Sequence, residues 1–539
     1  MVAKGARGPR RRVLTLLALL ALVLAVVAAG CTSGDEKSSE GDTNAADEGT
    51  PKPGGILRFA RNFETQSLDP MGPADNGSIF VRVQIFNTLV EADPDTLPDV
   101  GPGLAESWES SDDGLRWTFT LRDAKFSNGD PVTAEDVKFS LDRFIDPKIN
   151  VNIPTLAYGI KDIEIVDDKT VAVNLKHPVG ALLENLSVFP ASIVSKKLVE
   201  AEGNDHWKNP VGTGPFKLKE WVPGSFIELE KNENYWEDGK PYLDGVRFDF
   251  IADDNARVLK MQDGEADLLE GVPFTQIKEL TDAGDFEVRV DDIVRWEGVF
   301  LNHKRKPFDD VRVRQALNYA TDKEAIRTAV YGGVGKVANS MIPEGKYTAG
   351  PDEVAPYEYD VDKAKELMAE AAPDGITSTM LIPAGASHLR ELATVLQAQW
   401  KDVGVDLKIE EVDGGALFDR YAAYDYDVAV PLVKFTSDVT VEDEVALLFY
   451  DTAESNALKG FFTGWQPPDS LFELTEKAAQ GTEEERKELW PQVQQAAMDE
   501  APWVTLFFLP SIHGVQDYVK GFKVLPSGWW DLEDVWLDK

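Results

Sequence analysis

The chain has 539 residues, of which 43% are hydrophobic and 10% aromatic, with one cysteine and a formal net charge of −39. That length exceeds what one core usually supports and asks for two or three domains. The acidity excludes nucleic acid, whose phosphates it repels, and the lone thiol excludes an internal disulfide, leaving stability to a large core.

Lys4, Arg7, Arg10, Arg11 and Arg12 precede a 17-residue uncharged apolar run, Val13 to Ala29. A cationic start, an apolar middle and small residues at the end are the parts of a signal peptide, read at the membrane and then removed. The run is at the lower limit for a permanent membrane-spanning helix and ends without a charged stop. The string Ala28-Ala29-Gly30-Cys31 resembles the lipobox of bacterial lipoproteins, with Ala28 where such boxes favour Leu. The resemblance implies a leader at 1–30 and lipidation of Cys31; ordinary cleavage leaving a free thiol is the alternative. Arg10-Arg11-Arg12-Val13-Leu14 is similar to a twin-arginine signal, although a general secretion start fits it as well. From Thr32 to Gly54 no aromatic or large aliphatic residue can join a core, so 31–54 reads as the lipidated cysteine and a tether spanning about 25 to 30 Å.

Strand and helix patterns then mix to the end. Thr133-Ala134-Glu135-Asp136 has the form of a capping box, with Val137, Leu141 and Phe144 at helical spacing behind it. Ile163 and Ile165, then Val171, Val173 and Leu175, alternate about an Asp-Asp-Lys turn and predict a hairpin. Gly212-Thr213-Gly214-Pro215 reads as a turn entering a strand, its glycines supplying permissive backbone. Helices are predicted over 310–331, with Asp309 and Asp310 as cap and arginines 312 and 314 on its surface, and over 361–371, 470–479 and 483–498. Leu389, Leu392, Leu396 and Trp400 form a helical stripe that Gly404 ends, before a strand from Val405 to Ile409. Trp296 reads as core. The class is α/β with mixed sheets.

The stretch Leu104-AESWESSDDGLRWTFTLRDAKFSNGDPVTAEDVKFSLDR-Phe144 resembles the signature region of family 5 extracellular solute-binding proteins, the receptors of peptide and nickel ABC importers. Ser67-Leu68-Asp69-Pro70 and the segment 83–89 lie upstream; 211–221, Lys231-NENY-Trp236, 301–326, 359–369 and Ala501-Pro502 follow in the family's order. The resemblance implies a periplasmic-binding-protein-like fold: two large lobes with mixed sheets joined by a hinge, and a subdomain inserted in the first lobe. Its divisions would be lobe I at 55–85 with 205–300 and 510–539, the inserted subdomain at 86–204, and lobe II at 301–509. A cleft between lobes suits a small solute because it can close and exclude water.

Peptide-binding members hold the ligand's ammonium with an aspartate in an aromatic-x-x-Asp motif. Phe435-Thr436-Ser437-Asp438 matches it, which implies Phe435 and Asp438 as ligand contacts, while Val439 departs from the aromatic that follows in the family and its Asp-Pro is missing. A carboxylate enclosed in a closed cleft would select a cationic end. Trp465 falls where the family often places another pocket aromatic; packing at a turn is the alternative. His388 and Arg390 are the candidates to meet a ligand carboxylate, and both equally fit an exposed helical surface.

The expected function is therefore an extracytoplasmic, lipid-anchored, monomeric receptor that passes an oligopeptide or similar solute to an ABC permease and its ATPase, with no cofactor. A receptor for nickel chelate, oligosaccharide or opine is the alternative, and a surface sensor is a third. The five histidines show no metal-ligand spacing, so no metal is expected. A secreted hydrolase finds no Gly-x-Ser-x-Gly elbow and no His-Glu-x-x-His, and the chain is not expected to be an enzyme.

Overall fold

Three sheets organise the body. A computed structural model describes residues 49–73, 75–92, 100–150, 154–157, 159–340, 342, 347–384, 387–430 and 463–539. The first sheet has seven strands in the order Glu287–Asp291, Ser511–Val515, Leu268–Glu270, Ile56–Arg61, Gly245–Phe250, Phe226–Lys231 and Phe216–Val222. Ile56–Arg61 runs parallel to both of its neighbours, and the other pairings are antiparallel. Such a centre must be covered on both faces. Accordingly Leu57 and Phe59 enter the main core, while Ala60 and Leu269 meet Val258, Met261 and Phe286 on the other side.

The second sheet has six strands, ordered Lys336–Val337, Trp503–Phe508, Trp296–Leu301, Val428–Ala429, Ile376–Pro383 and Val405–Val412. An antiparallel four-stranded sheet, ordered Ala105–Ser110, Arg116–Leu121, Thr170–Leu175, Ile160–Asp167, contains the hairpin read from the sequence. This is the two-lobed mixed α/β fold expected. The chain passes from the first large sheet to the second at 292–295 and returns at 509–510. Trp296–Leu301 lies wholly in the second sheet, so the passage precedes the 300/301 division expected above. The two passages touch, because the Leu509 N–H donates to the Arg295 carbonyl at 2.9 Å.

Local chemistry explains most element ends. Thr133 accepts from the Asp136 N–H, and the Asp136 carboxylate accepts from the Thr133 N–H, so aspartate closes the capping box. Val361–Ala371 forms as expected behind an Asp360 cap, and 470–479 and 483–498 lie within helices Asp469–Gln480 and Glu483–Glu500. Asp310 caps its helix, as expected.

Three expectations change. The helix over 310–331 is two, Val311–Tyr319 and Lys323–Val330, because Asp322 accepts from the Ala325 N–H and caps the second. Arg314 is buried rather than on the surface: its guanidinium donates to the carbonyls of Phe308, Asp309, Glu500 and Ala501. Neither Gly212 nor Gly214 has positive φ. Both are needed for close approach, since a Cβ would lie 2.0 Å from the Ile85 carbonyl oxygen at 212 and 2.7 Å from that of Gln84 at 214.

Candidate functional site

Two kinds of surface converge between the lobes. Along the strands of the second sheet, Val299, Leu301, Val504 and Leu506 pack beneath the helices, while Trp296, Phe300 and Trp503 turn to the opposite face. There Trp296 lies 5.3 Å from Trp503 between ring centroids, Phe300 lies 6.1 Å from Tyr421, and Trp465 meets Trp503 at 6.2 Å with the rings 70° apart. Gly298 leaves room for this, because a Cβ there would lie 2.1 Å from the Trp296 ring. Trp465 is 2% exposed, so the structure places it inside the aromatic cluster, in the packing arrangement. Broad aromatic faces of this sort offer adaptable apolar contact.

Polar groups gather beside the two passages. The Tyr331 hydroxyl donates to Glu297 at 2.9 Å, and Arg295 reaches the same carboxylate at 3.6 Å. Burial raises the Glu297 carboxyl above the usual range against the pull of Arg295, and burial beside that carboxylate keeps the Tyr331 phenol protonated. His388 sits in the first turn of Ser387–Lys401, with Tyr331 at 6.3 Å and, from the first lobe, Phe274 at 5.9 Å. Its Nε2 is enclosed without a hydrogen-bond partner among the described residues. Burial and then Arg295 lower it to about 4, so at neutral pH this imidazole is uncharged and offers a hydrogen bond rather than a cation. Arg390, two residues on, is 61% exposed at its side chain and pairs with Glu411.

Of the sequence-derived candidates among the described residues, His388 lies at the polar side of the junction, Trp465 is packed within the aromatic cluster and Arg390 is at the surface. Phe435 and Asp438 lie outside the described residues, as do Cys31 and the 1–30 leader. Glu297, Tyr331, Arg295 and Phe274 were missed, since they come from separate segments and share no local pattern. No helix among the described residues is long and apolar enough to cross a membrane. The one carboxylate group there that could hold a metal is Asp531, Glu533 and Asp534, well away in sequence from any histidine considered above.

Comparison with known proteins agrees with this architecture. Residues 99–456 match the family model for bacterial extracellular solute-binding proteins, family 5. The glutathione-binding protein GsiB of Salmonella typhimurium is 28% identical over 484 residues, covering 89% of this chain and 93% of its own. The periplasmic binding protein DppA of Helicobacter pylori, solved with the peptide STSA, superposes with a TM-score of 0.81 at 28% identity, covering 90% of this chain and 99% of the other. The binding protein AgaA of A. tumefaciens R10, solved with agropinic acid, gives a TM-score of 0.81 at 27% identity, covering 90% and 99%.

Proposed function

The chain belongs to the bacterial extracellular solute-binding proteins of family 5, and from that membership we propose the receptor of an ABC importer, which captures a short peptide between its lobes. It delivers the solute to a permease driven by an ATPase. The observation that carries this reading is the family match over 99–456, on a fold whose two large sheets are linked along the described chain by paired short passages. Such joints permit closure around a solute. Relatives that bind glutathione and a peptide support a ligand with a free ammonium and carboxylate, for which Asp438 and Phe435 supply the ammonium end. His388 contributes a neutral hydrogen bond, Trp465 supports the wall, and Arg390 acts from the rim. The agropinic acid complex favours an opine-like solute as the second reading.

The remaining parts follow from the sequence. Cys31 anchors the mature chain to the outer face of the cell membrane, 31–54 tethers it, and the monomer binds without catalysing a reaction. Lobe I at 55–85 with 205–291 and 510–539, a subdomain at 86–204 and lobe II from 296 form its divisions. Native mass spectrometry of the purified protein, with identification of any retained solute, tests the class. Peptides with free amino termini support it; an opine moves the assignment to the second reading. For an identified peptide, Asp438→Asn is expected to weaken affinity at least about tenfold, or 1.4 kcal/mol, and a change within about twofold removes Asp438 from the site.

A further inference from the structure

A cavity of about 350 Å³ opens in the first lobe. Its walls come from the segment after helix Asn76–Ile85, from the strands Val90–Ala92 and Val100–Pro102, from Trp236 to Lys240, and from the C-terminal stretch 525–534. Five carboxylates line it: Glu91, Glu237, Asp531, Glu533 and Asp534. Ligand oxygens of the last three lie within 4.8 Å of one another. Lys240 covers part of this charge, 2.8 Å from Glu533 and 3.0 Å from Asp534, and is shared with Glu237 at 2.8 Å, while the Tyr235 hydroxyl donates to the other Glu533 oxygen. Lys523 also lines the cavity. Asp531 accepts a hydrogen bond from the Glu533 N–H and has no ion-pair partner among the described residues.

A second observation comes from the opposite wall. Asn87 is 6% exposed, lines the same cavity, and its Oδ1 has no hydrogen-bond partner among the described residues. Its amide group instead donates toward Glu91. An enclosed amide oxygen left without a donor, in a cavity lined by carboxylates, calls for a positive or hydrogen-donating ligand rather than another acceptor. The donor set is all oxygen, the set that hard divalent cations take.

We propose that this cavity binds a divalent cation of the calcium class through Asp531, Glu533 and Asp534, with Glu91 and the Asn87 amide oxygen completing its surroundings. Glu237, Glu533 and Asp534 share the single ammonium of Lys240. Like charges crowded in this way are relieved by a dication. The cation would join the chain's last turn to the strand pair that leads into the four-stranded sheet. Lys240 occupies two of the same oxygens and competes with it.

Chelator-treated full-length protein, titrated with calcium chloride by calorimetry and with terbium by indole-sensitised emission, tests the proposal. Trp236 and Trp529 line the cavity and serve as sensitisers. One saturable site is expected, with Kd about 10⁻⁴ to 10⁻³ M, the range of extracellular calcium modules. Asp531→Asn is expected to weaken it at least about tenfold, and Lys240→Met to tighten it severalfold. The proposal is overturned by absence of calcium binding up to about 10 mM, tenfold above the weak end of that range, or by terbium emission that survives Asp531→Asn unchanged. Circular dichroism identical to the parent keeps the Asp531→Asn result interpretable.

Discussion

The two large sheets solve one packing problem with different chemistry. In the first, charge lies inside. Arg61 is 1% exposed, pairs with Glu270 at 2.9 Å, donates to the carbonyls of Asn76 and Gly77, and stacks 4.6 Å from the Trp530 ring. Asp267, likewise enclosed, accepts from Arg58, Tyr518 and Lys539 and so ties the sheet's first strand to the chain's last residues. In the second lobe the face toward the first holds indole and phenol rings, the enclosed His303 and His388 are neutral, and the buried Arg314 donates to backbone carbonyls. The first lobe is thus specified by directed ion pairs that fail when one partner is lost, the second more by the shape of its packed rings.

Removing one member of a directed pair should have the largest effect. Arg61→Ala strands Glu270 and two backbone carbonyls, and should destabilise by about 3 to 5 kcal/mol in denaturant unfolding. A loss below about 1 kcal/mol would show that the first lobe does not depend on this charge.

Acid should reach the second lobe first. His303, whose Nε2 donates to the Pro502 carbonyl at 2.9 Å, is lowered to about 3 by burial and then by Arg314. A folded value below the unfolded 6.5 means that the unfolded chain takes the proton first, so stability falls as pH drops below 6.5. By pH 5 this amounts to roughly 2 kcal/mol. Between pH 7 and 5 the parent should lose that much more stability than His303→Gln, and equal losses would dissociate the effect from His303. Asp267 behaves differently. Burial alone would raise it, but Arg58 and the other donors hold it below 3.8, so its contribution is full above that value and fades only as pH falls through its lower folded value.

Gly298→Ala probes shape directly, since its Cβ would enter the Trp296 ring; about 1 to 3 kcal/mol of destabilisation is expected by thermal unfolding. Unchanged stability would mean that the aromatic face repacks freely. Arg390→Ala should be smallest, under about 0.5 kcal/mol, because its pair with Glu411 is exposed to water.

Local grammar made much of this fold readable. Thr133 with Asp136, the stripe from Leu389 to Trp400, and Gly404 at φ +89° each act within a turn or two, and each is found where its pattern places it. The break between Tyr319 and Lys323 was signalled by Asp322, whose cap outweighed the continuing apolar period. Arg314 defied reading because its acceptors at 500 and 501 are remote in sequence. The junction of the lobes was harder still: Phe274, Arg295, Glu297, Tyr331 and His388 meet only after both sheets have formed. Family resemblance, rather than pattern, singled out His388 and Trp465, and could not tell a packed ring from an exposed one.

The strand Ser511–Val515 lies between Glu287–Asp291 and Leu268–Glu270, inside the first sheet rather than at its edge, and Trp530 fills the core beside Phe59 and Phe80. A chain emerging from the ribosome therefore cannot close its first lobe until almost its last residue has been made. The last described strand of the second sheet, Trp503–Phe508, precedes Ser511–Val515, so the two sheets are completed in the reverse of their order in the sequence.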